Sequence, residues 1–595
     1  MSRRSPSRPT PAATRWVALG IVLLVFASFL PALSSGWVGW DDDALFMRHH
    51  KFRALDAENL GWMFSTFQTG HYQPLTWLSF ALDYQLWEMN PAGYHFVNVM
   101  LHAVNAVLFF LLIAAFIRRR PEVIPSGTWG FPLACGVGAL FFAIHPLRAE
   151  SVAWVIERRD TLAGLFYLLT LHTYLRMLDR QGSARRRMYI LSVVCFALSL
   201  GAKAWGITLP VALLILDIYP LRRFRTAIRQ CLLEKVPYLL LALAFAGFAF
   251  HAQKHAAMEM VVDHTLFDRL MQSAYALSFY IGKTILPLGL SPLYLLKPSF
   301  DPLAPKYILG AVVSLGITVV LLLLRKRWPW ALAAWACYAV VVSPVLGIAQ
   351  SGPQITADRY TYLSCLPFGV LAAAGAAALI NRRNVRLLIV PLLLALGVLT
   401  FRQAGIWHDS GTLWEHAIKL DPSNYIAFNN RGYFVHERQG NLGQAIRDYS
   451  AAIDLNPEYV LARYNRAGLR LRQGNHESAL QDLNEVIRRD PDHTAAYVNR
   501  AAARHAQGDI EGAIADLDAA VAVDPTFSTA YQNRAMIRAQ QGDLAGALAD
   551  VTTAIEFEPY NGALYMQRAR LRSQLGDAAG AQTDYNEAIR LQRGR

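Results

Sequence analysis

An all-α fold in two parts is expected: a polytopic membrane helix bundle over residues 1–404, then an α-solenoid over residues 405–595. Long apolar runs in the first part, a fixed period in the second and an uneven division of charge all point to this. The chain has 595 residues, too many for one hydrophobic core. Of its 57 Lys+Arg and 43 Asp+Glu, 21 and 24 lie from Arg402 onward, so that stretch balances at −3 and residues 1–401 carry +17. A basic excess confined to the apolar part reads as cytoplasmic loops, not as a nucleic-acid footprint. This composition excludes a soluble enzyme, a disordered chain and a disulfide-stapled secreted domain. The five cysteines (Cys135, Cys195, Cys231, Cys337, Cys365) sit in or beside apolar runs, so no disulfide need be assumed.

The first apolar run, 16–33, follows Arg3, Arg4, Arg8 and Arg15. No convincing small-residue cleavage site follows, so it reads as an uncleaved helix that starts in the cytoplasm. Further runs near 92–117, 129–145, 161–178, 188–202, 206–220, 236–252, 307–324, 328–348, 361–380 and 386–402 approach the length a bilayer requires, giving about eleven spans. Basic clusters at 118–120, 185–187, 222–229, 325–327 and 382–386 all become cytoplasmic if the weakly apolar stretch 271–290, with Lys283 and Pro287, is re-entrant or interfacial. An odd number of spans then puts the C-terminal part outside, together with segments 34–91, 146–160, 253–306 and 346–360. Within the first of these, 59–67 and 75–87 carry half-apolar patterns suited to helices lying at the interface.

From residue 405 the sequence repeats. Gly440, Gly474, Gly508, Gly542 and Gly576 are 34 residues apart, as are Ala445 to Ala581 and Asp448 to Asp584 in the same phase, and Pro457, Pro491, Pro525 and Pro559 close the units. This resembles the tetratricopeptide repeat in about five copies, with 412–422 reading as the second helix of an incomplete leading unit. An Asn-Arg ladder runs through the first helices, at Asn465 and Arg466, Asn499 and Arg500, Asn533 and Arg534, with Arg431 and Arg568 in the same phase. On a concave face it would suit an extended peptide. Alternatively the arginines pair with the Asp of the second helix.

Trp40-Asp41-Asp42-Asp43 follows the first span. Adjacent acids repel, so this is either a base or cation site at an outer membrane boundary or a solvated acidic turn. Other ionisable groups fall on the same side: His145, the segment LRAESVAWVIERRD with Glu150, Trp154, Glu157 and Arg158 on one face if it is helical, Lys203, and Asp358-Arg359-Tyr360. Lys203 could equally snorkel and Arg359 merely pair with Asp358. His95, Asn98, His102 and Asn105 read as an interhelical hydrogen-bond seam more readily than as a two-His metal site.

The ordered motifs GWDDDALF, HYQPLTWLSF, GYHFVNVMLHAVNAVLFF, FFAIHPLRAESVAWVIERRDTLAG, AKAWGITLP and ADRYTYL, followed by the repeats, resemble the transmembrane and tetratricopeptide-repeat O-mannosyltransferases of the GT-C glycosyltransferase superfamily. The resemblance implies a GT-C-like bundle that inverts a sugar, mannose for the family, as it moves from a polyprenyl phosphate to a protein hydroxyl. Asp41 and Asp42 would supply the base. Arg359, Lys203, His145 and Arg158 would hold the donor phosphate, and Asp43, Glu150, Tyr360 and Trp40 are further site candidates, with Trp40 and Trp154 as stacking surfaces. Ala204 follows Lys203 where relatives often carry an acid. The resemblance further implies lipid, lipid-linked sugar and a protein acceptor as partners, no nucleic acid, and a bacterial inner membrane. The acidic triplet is compatible with a divalent metal without requiring one. A non-catalytic membrane-anchored scaffold for envelope proteins is the alternative.

Overall fold

The computed structural model describes residues 11–47, 49–119, 129–255, 264–348, 352–379 and 383–593. It divides into two compact units, Met1–Leu420 and Asp421–Arg595. Of the basic residues used above to orient the spans, Arg3, Arg4, Arg8, Arg120 and Arg382 lie outside the described residues.

In the first unit α1 (Pro11–Ser28) leads into the acidic loop. Helices α2 (Ala57–Ser65) and α3 (Pro74–Trp87) fall on the two half-apolar patterns, α2 capped by the Asp56 side chain and α3 opened by Pro74. The 28-residue α4 (Pro91–Arg118) follows. Next come α5 (Gly130–Ala143), the short α6 (Ala149–Ala153), α7 (Arg158–Leu178), α8 (Gly182–Ala202) and α9 (Leu209–Ile218). The chain continues through α10 (Ile228–His255), α11 (Leu266–Ile285), α12 (Pro305–Leu323) and α13 (Pro329–Val342). The unit closes with α14 (Thr361–Ser364), α15 (Leu366–Leu379), α16 (Arg383–Gly405) and α17 (Ser410–Leu420). Its strands, Tyr294–Leu295 and Gln354–Thr356, form one antiparallel pair. All five cysteines are buried and free.

The first unit is a membrane domain, but with fewer clear spans than the sequence suggests. Among the described residues α1, α4, α10, α12 and α16 are long and apolar enough to cross, and two bent pairs raise the number from five to seven. By length and composition these are fewer than the eleven apolar runs of the sequence, and two shorter apolar helices, Ala204–Ile218 and Pro329–Val345, fall on further runs. α9 and α13 have 10 and 14 residues, against the roughly 20 a bilayer needs. α7 opens on Arg158-Arg159-Asp160 and α8 carries Arg185 to Arg187, so neither is apolar throughout. The stretch 271–290 lies mainly in α11, which begins with a Thr265–Asp268 capping box and packs on α12 where Gly310 meets Tyr275.

Small residues and buried polar side chains bind the bundle. A Cβ on Gly138 of α5 would stand 2.3 Å from the Gly369 carbonyl of α15, so these backbones touch at a point only glycine permits. The polar stripe on α4 is a hydrogen-bond seam. His102 contacts the Tyr362 hydroxyl and the Ala143 carbonyl, both at 2.8 Å, and Asn105 donates to Thr161 O and the Tyr362 hydroxyl.

The second unit is a stack of helix pairs from Tyr425–Arg431 to Ala578–Arg593. The turn glycines at 440, 474, 508, 542 and 576 take φ of 74–86°, the left-handed turn glycine adopts without a Cβ penalty. The arginine ladder is an internal staple. Arg466 forms a two-pronged pair with Asp482 and donates to Ser450 one repeat earlier; Arg500 does the same with Asp516 and Asn484, and Arg534 with Asp550 and Asp518. A second arginine, Arg470, Arg504, Arg538 or Arg572, converges on the same buried Asp. Asn465 donates to Asn429. Of the two readings of the ladder, pairing with the second-helix Asp is the one these guanidinium groups satisfy. Arg431 precedes Arg466 by 35 residues, not 34. The extra residue is taken up by a π-helical turn, Gly432–Glu437, which brings His436 to 3.4 Å from Asp448 where later repeats place the second arginine.

Replacing Asp516 with Ala leaves Arg500 and Arg504 facing each other without their shared carboxylate. It should lower the stability of the repeat unit by about 2–3 kcal/mol, whereas Asp518→Ala, which removes an exposed partner, should cost under about 1 kcal/mol. Urea unfolding followed by circular dichroism measures both, and equal midpoints for the two variants would remove the staple as a source of stability.

Candidate functional site

The acidic loop is held from several directions. Gly36 N–H donates to His408 O (2.9 Å), Gly39 N–H to Ser410 Oγ (2.7 Å), and Trp414 Nε1 to Gly39 O (3.0 Å). The helix that reads in sequence as half of a leading repeat is thus α17 of the first unit, and it clamps this loop. Trp154 is 2% exposed and has two stacked neighbours, Trp40 (centroids 5.0 Å, 24°) and Trp407 (5.2 Å, 20°); Trp414 tilts against Trp40. Trp154 thus has two protein rings stacked against it, with the Arg359 guanidinium also over its ring at 5.8 Å.

The three acids differ in their commitments. Asp42 is buried and accepts from Val38 N–H (3.0 Å) and Trp154 Nε1–H (3.1 Å). Burial pushes its carboxyl up to about 8, with the Val38 bond opposing. Asp41 is half-buried and has no hydrogen-bond or ion-pair partner among the described residues. Burial raises its pKa, and the charges of Arg159 and Arg359 pull it back. Asp43 begins the π-helical turn Asp43–Met47.

Beyond Asp41 lies a buried charge cluster drawn from three stretches of chain. Glu157, fully buried, takes Arg159 in a two-pronged pair (2.6 and 3.1 Å), Lys203 Nζ at 2.8 Å and Arg359 Nε at 3.5 Å. Lys203 also reaches Asp160 (2.6 Å), which Ser151 bonds at 2.8 Å. Arg359 is gripped by Glu150, which accepts from its guanidinium and from its backbone N–H (2.8 Å). Tyr360, next in chain, lies under the Arg359 guanidinium, accepts from Gln354 and meets Trp205 edge-on.

The segment between α5 and α7 is not one helix, and this re-sorts its side chains. The chain runs through a 3-10 turn Pro146–Arg148, α6, an extended Trp154 (φ −83°, ψ 119°) and a second 3-10 turn Val155–Glu157. Asn98 pins the break by donating to the Val152, Trp154 and Val155 carbonyls. Glu150 and Glu157 meet Arg359, but Arg158 turns the other way and is fully buried. It pairs with Asp83 (2.6 Å) and bonds Tyr94 O, Ser79 and Asn98. His145 caps the 3-10 turn through Leu147 N–H and contacts Thr284 O at 3.0 Å. Lys203 and Arg359 are thus in the cluster, whereas Arg158 and His145 are engaged elsewhere as structural ties.

Two members escape a reading by helical phase. Arg159 takes the place expected of Arg158, because the break at Trp154 shifts the register by one. His71, inside HYQPL, lies in the field of Arg159, Lys203, Glu157 and Arg359, and burial together with the two nearest cations holds its imidazole well below the usual range. Among the described residues no group of three or more His, Cys, Asp or Glu side chains is placed to hold a metal ion.

Residues 435–494, 469–525 and 498–562 match one tetratricopeptide-repeat family, and 563–594 a second of the same description. Over 436 residues, covering 66% of this chain and 45% of the relative, the sequence is 22% identical to the protein O-mannosyl-transferase TMTC3 of Mus musculus. It is 24% identical to a Caenorhabditis elegans protein O-mannosyl-transferase over 65% of this chain and 54% of the relative. It is 33% identical to TMTC2 of Mus musculus over 26% of this chain. The chain spans about half the length of the first two.

The raised Asp42 pKa has a sign that can be checked. Asp42 keeps its proton when folded and loses it when unfolded, so stability falls as pH rises from about 4 to about 8 and then levels off. Asp42→Asn mimics the protonated form and removes that slope. The melting temperature of the native protein relative to the variant should therefore drop between pH 5 and pH 8; a pH-independent difference would show that Asp42 is ionised throughout.

Proposed function

We propose that the protein transfers mannose from a polyprenyl-phosphate donor to a hydroxyl of a protein acceptor, with inversion, and that the repeat unit recruits that acceptor. Asp41 carries the reading. It is a half-buried carboxylate in the loop after the first membrane helix, without a hydrogen-bond or ion-pair partner among the described residues, and it lies in the field of two of the cations gathered on Glu157. The relatives named protein O-mannosyl-transferases support the class.

Asp41 takes the proton of the acceptor hydroxyl as its oxygen bonds to the anomeric carbon. The bond from that carbon to the phosphate oxygen breaks with its electron pair, which leaves on the phosphate. A carboxylate raised toward neutral pH is a better base than a solvated one, and such positioned proton transfer contributes about 10²–10⁴-fold. Arg159, Lys203 and Arg359 are already oriented by Glu150, Glu157 and Asp160, so they stabilise the departing phosphate with little reorganisation. Asp42, protonated and bonded to Trp154, positions the loop. In this reading the chain is a multi-pass protein of a bacterial inner membrane, N-terminus cytoplasmic, with its site and repeats outside, where lipid-linked sugars replace nucleotide sugars.

The test is transfer from polyprenyl-phosphate mannose to Ser- and Thr-containing peptides by the purified protein in lipid. Asp41→Asn should lower kcat at least about 100-fold with its melting temperature unchanged, and Asp42→Asn should keep most turnover. Full activity in Asp41→Asn would remove the base. No transfer by the native protein, with tight peptide binding retained, would favour a scaffold.

A further inference from the structure

His71, Tyr72 and Gln73 link the 3-10 turn Gln68–Gly70 to α3. The backbone at His71 is extended (φ −134°, ψ 139°), and along extended chain successive side chains emerge on opposite sides. Tyr72 goes one way, against Phe67, Phe245 and Phe248, with its hydroxyl on Phe64 O. Gln73, two residues after His71, is the residue from which α3 starts.

That link is fixed beside Lys203. Thr76 Oγ1 donates to Ala202 O (3.0 Å), and a Cβ on Gly201 would touch Leu75 at 3.4 Å. His71 lies in the field of Arg159, Lys203, Glu157 and Arg359. Gln73 is 2% exposed, yet its side-chain amide nitrogen and carbonyl oxygen both lack a partner among the described residues. A buried carboxamide with neither end satisfied is costly and rare, and calls for a group that completes it.

We propose that Gln73, with His71 beside it, is the sugar-recognition wall of the site. The Gln73 carboxamide donates to one hydroxyl of the donor hexose and accepts from another, while the neutral His71 ring bonds a third polar position. This rests on the glycosyl-transfer reading. The hexose is the occupant because it is joined directly to the phosphate that Arg159, Lys203 and Arg359 would hold. The start of α3 is tied through Thr76 to Ala202, the chain neighbour of Lys203, and a carboxamide matches the paired donor and acceptor that adjacent sugar hydroxyls offer.

The test uses the full-length protein in lipid with polyprenyl-phosphate mannose, polyprenyl-phosphate glucose and, as inhibitor, polyprenyl phosphate without a sugar. Gln73→Leu should raise KM for the mannosyl donor about tenfold and shrink the preference between the two sugars. Inhibition by the sugar-free lipid should be unchanged, and the melting temperature unchanged or higher, since an unsatisfied amide is removed. His71→Gln, which keeps a neutral hydrogen-bonding group, should retain more of that preference than His71→Ala. Unaltered KM and preference in Gln73→Leu, or equal weakening toward the sugar-free lipid, would overturn the wall and leave the transferase standing. Absence of transfer by the native protein from either donor would overturn both.

Discussion

Glu157 is the carboxylate on which the site depends. It is wholly buried and touched by Arg159, Lys203 and Arg359, which come from the start of α7, the end of α8 and the turn before α14. At an effective dielectric near 20, a close pair of this kind interacts by about 4 kcal/mol, so three cations sharing one pocket without it would drive these elements apart. Burying Glu157 alone would be equally unfavourable. Together with Glu150 and Asp160 the six charges balance, and Asp41 stands beside them with its oxygens uncommitted.

The neighbouring arginines show how a buried bundle separates structure from chemistry. Arg158 and Arg159 are adjacent and identical in composition. Arg158 is enclosed by Asp83, Ser79, Tyr94 and Asn98, and so fastens α3 and α4 to the start of α7. Arg159 is left to the cluster. The separation rests on Trp154, whose extended backbone breaks the helix and whose ring is stacked with Trp40 and Trp407. Asn98 secures the break by satisfying three carbonyls that a continuous helix would have bonded internally.

The repeat unit solves a related problem by periodicity. Asp482, Asp516 and Asp550 each draw two arginines from their own repeat, and the first arginine also bonds the repeat before, so stacking and internal folding share one set of charges. That arrangement tolerates one extra residue only where the helix can widen, as in the π-helical turn at Gly432–Glu437.

Strong, regular signals were legible in the sequence. The 34-residue period fixed the helix pairs and their turn glycines, because each repeat buries the same positions against its neighbour. The apolar runs located the membrane domain, and the order of short motifs located the acidic loop, Lys203 and Arg359. Span number was less legible, because helix length depends on where packed neighbours and buried charges let a helix break. Helical phase also misassigned Arg158 and passed over Arg159 and His71. Which of two adjacent arginines meets a carboxylate is decided by one extended residue at Trp154, and which Asp stays uncommitted by the tryptophan and backbone N–H that claim Asp42. The Trp154–Asp42 bond and the Asn98 bonds that hold the break join residues far apart in the chain, which local periodicity does not encode.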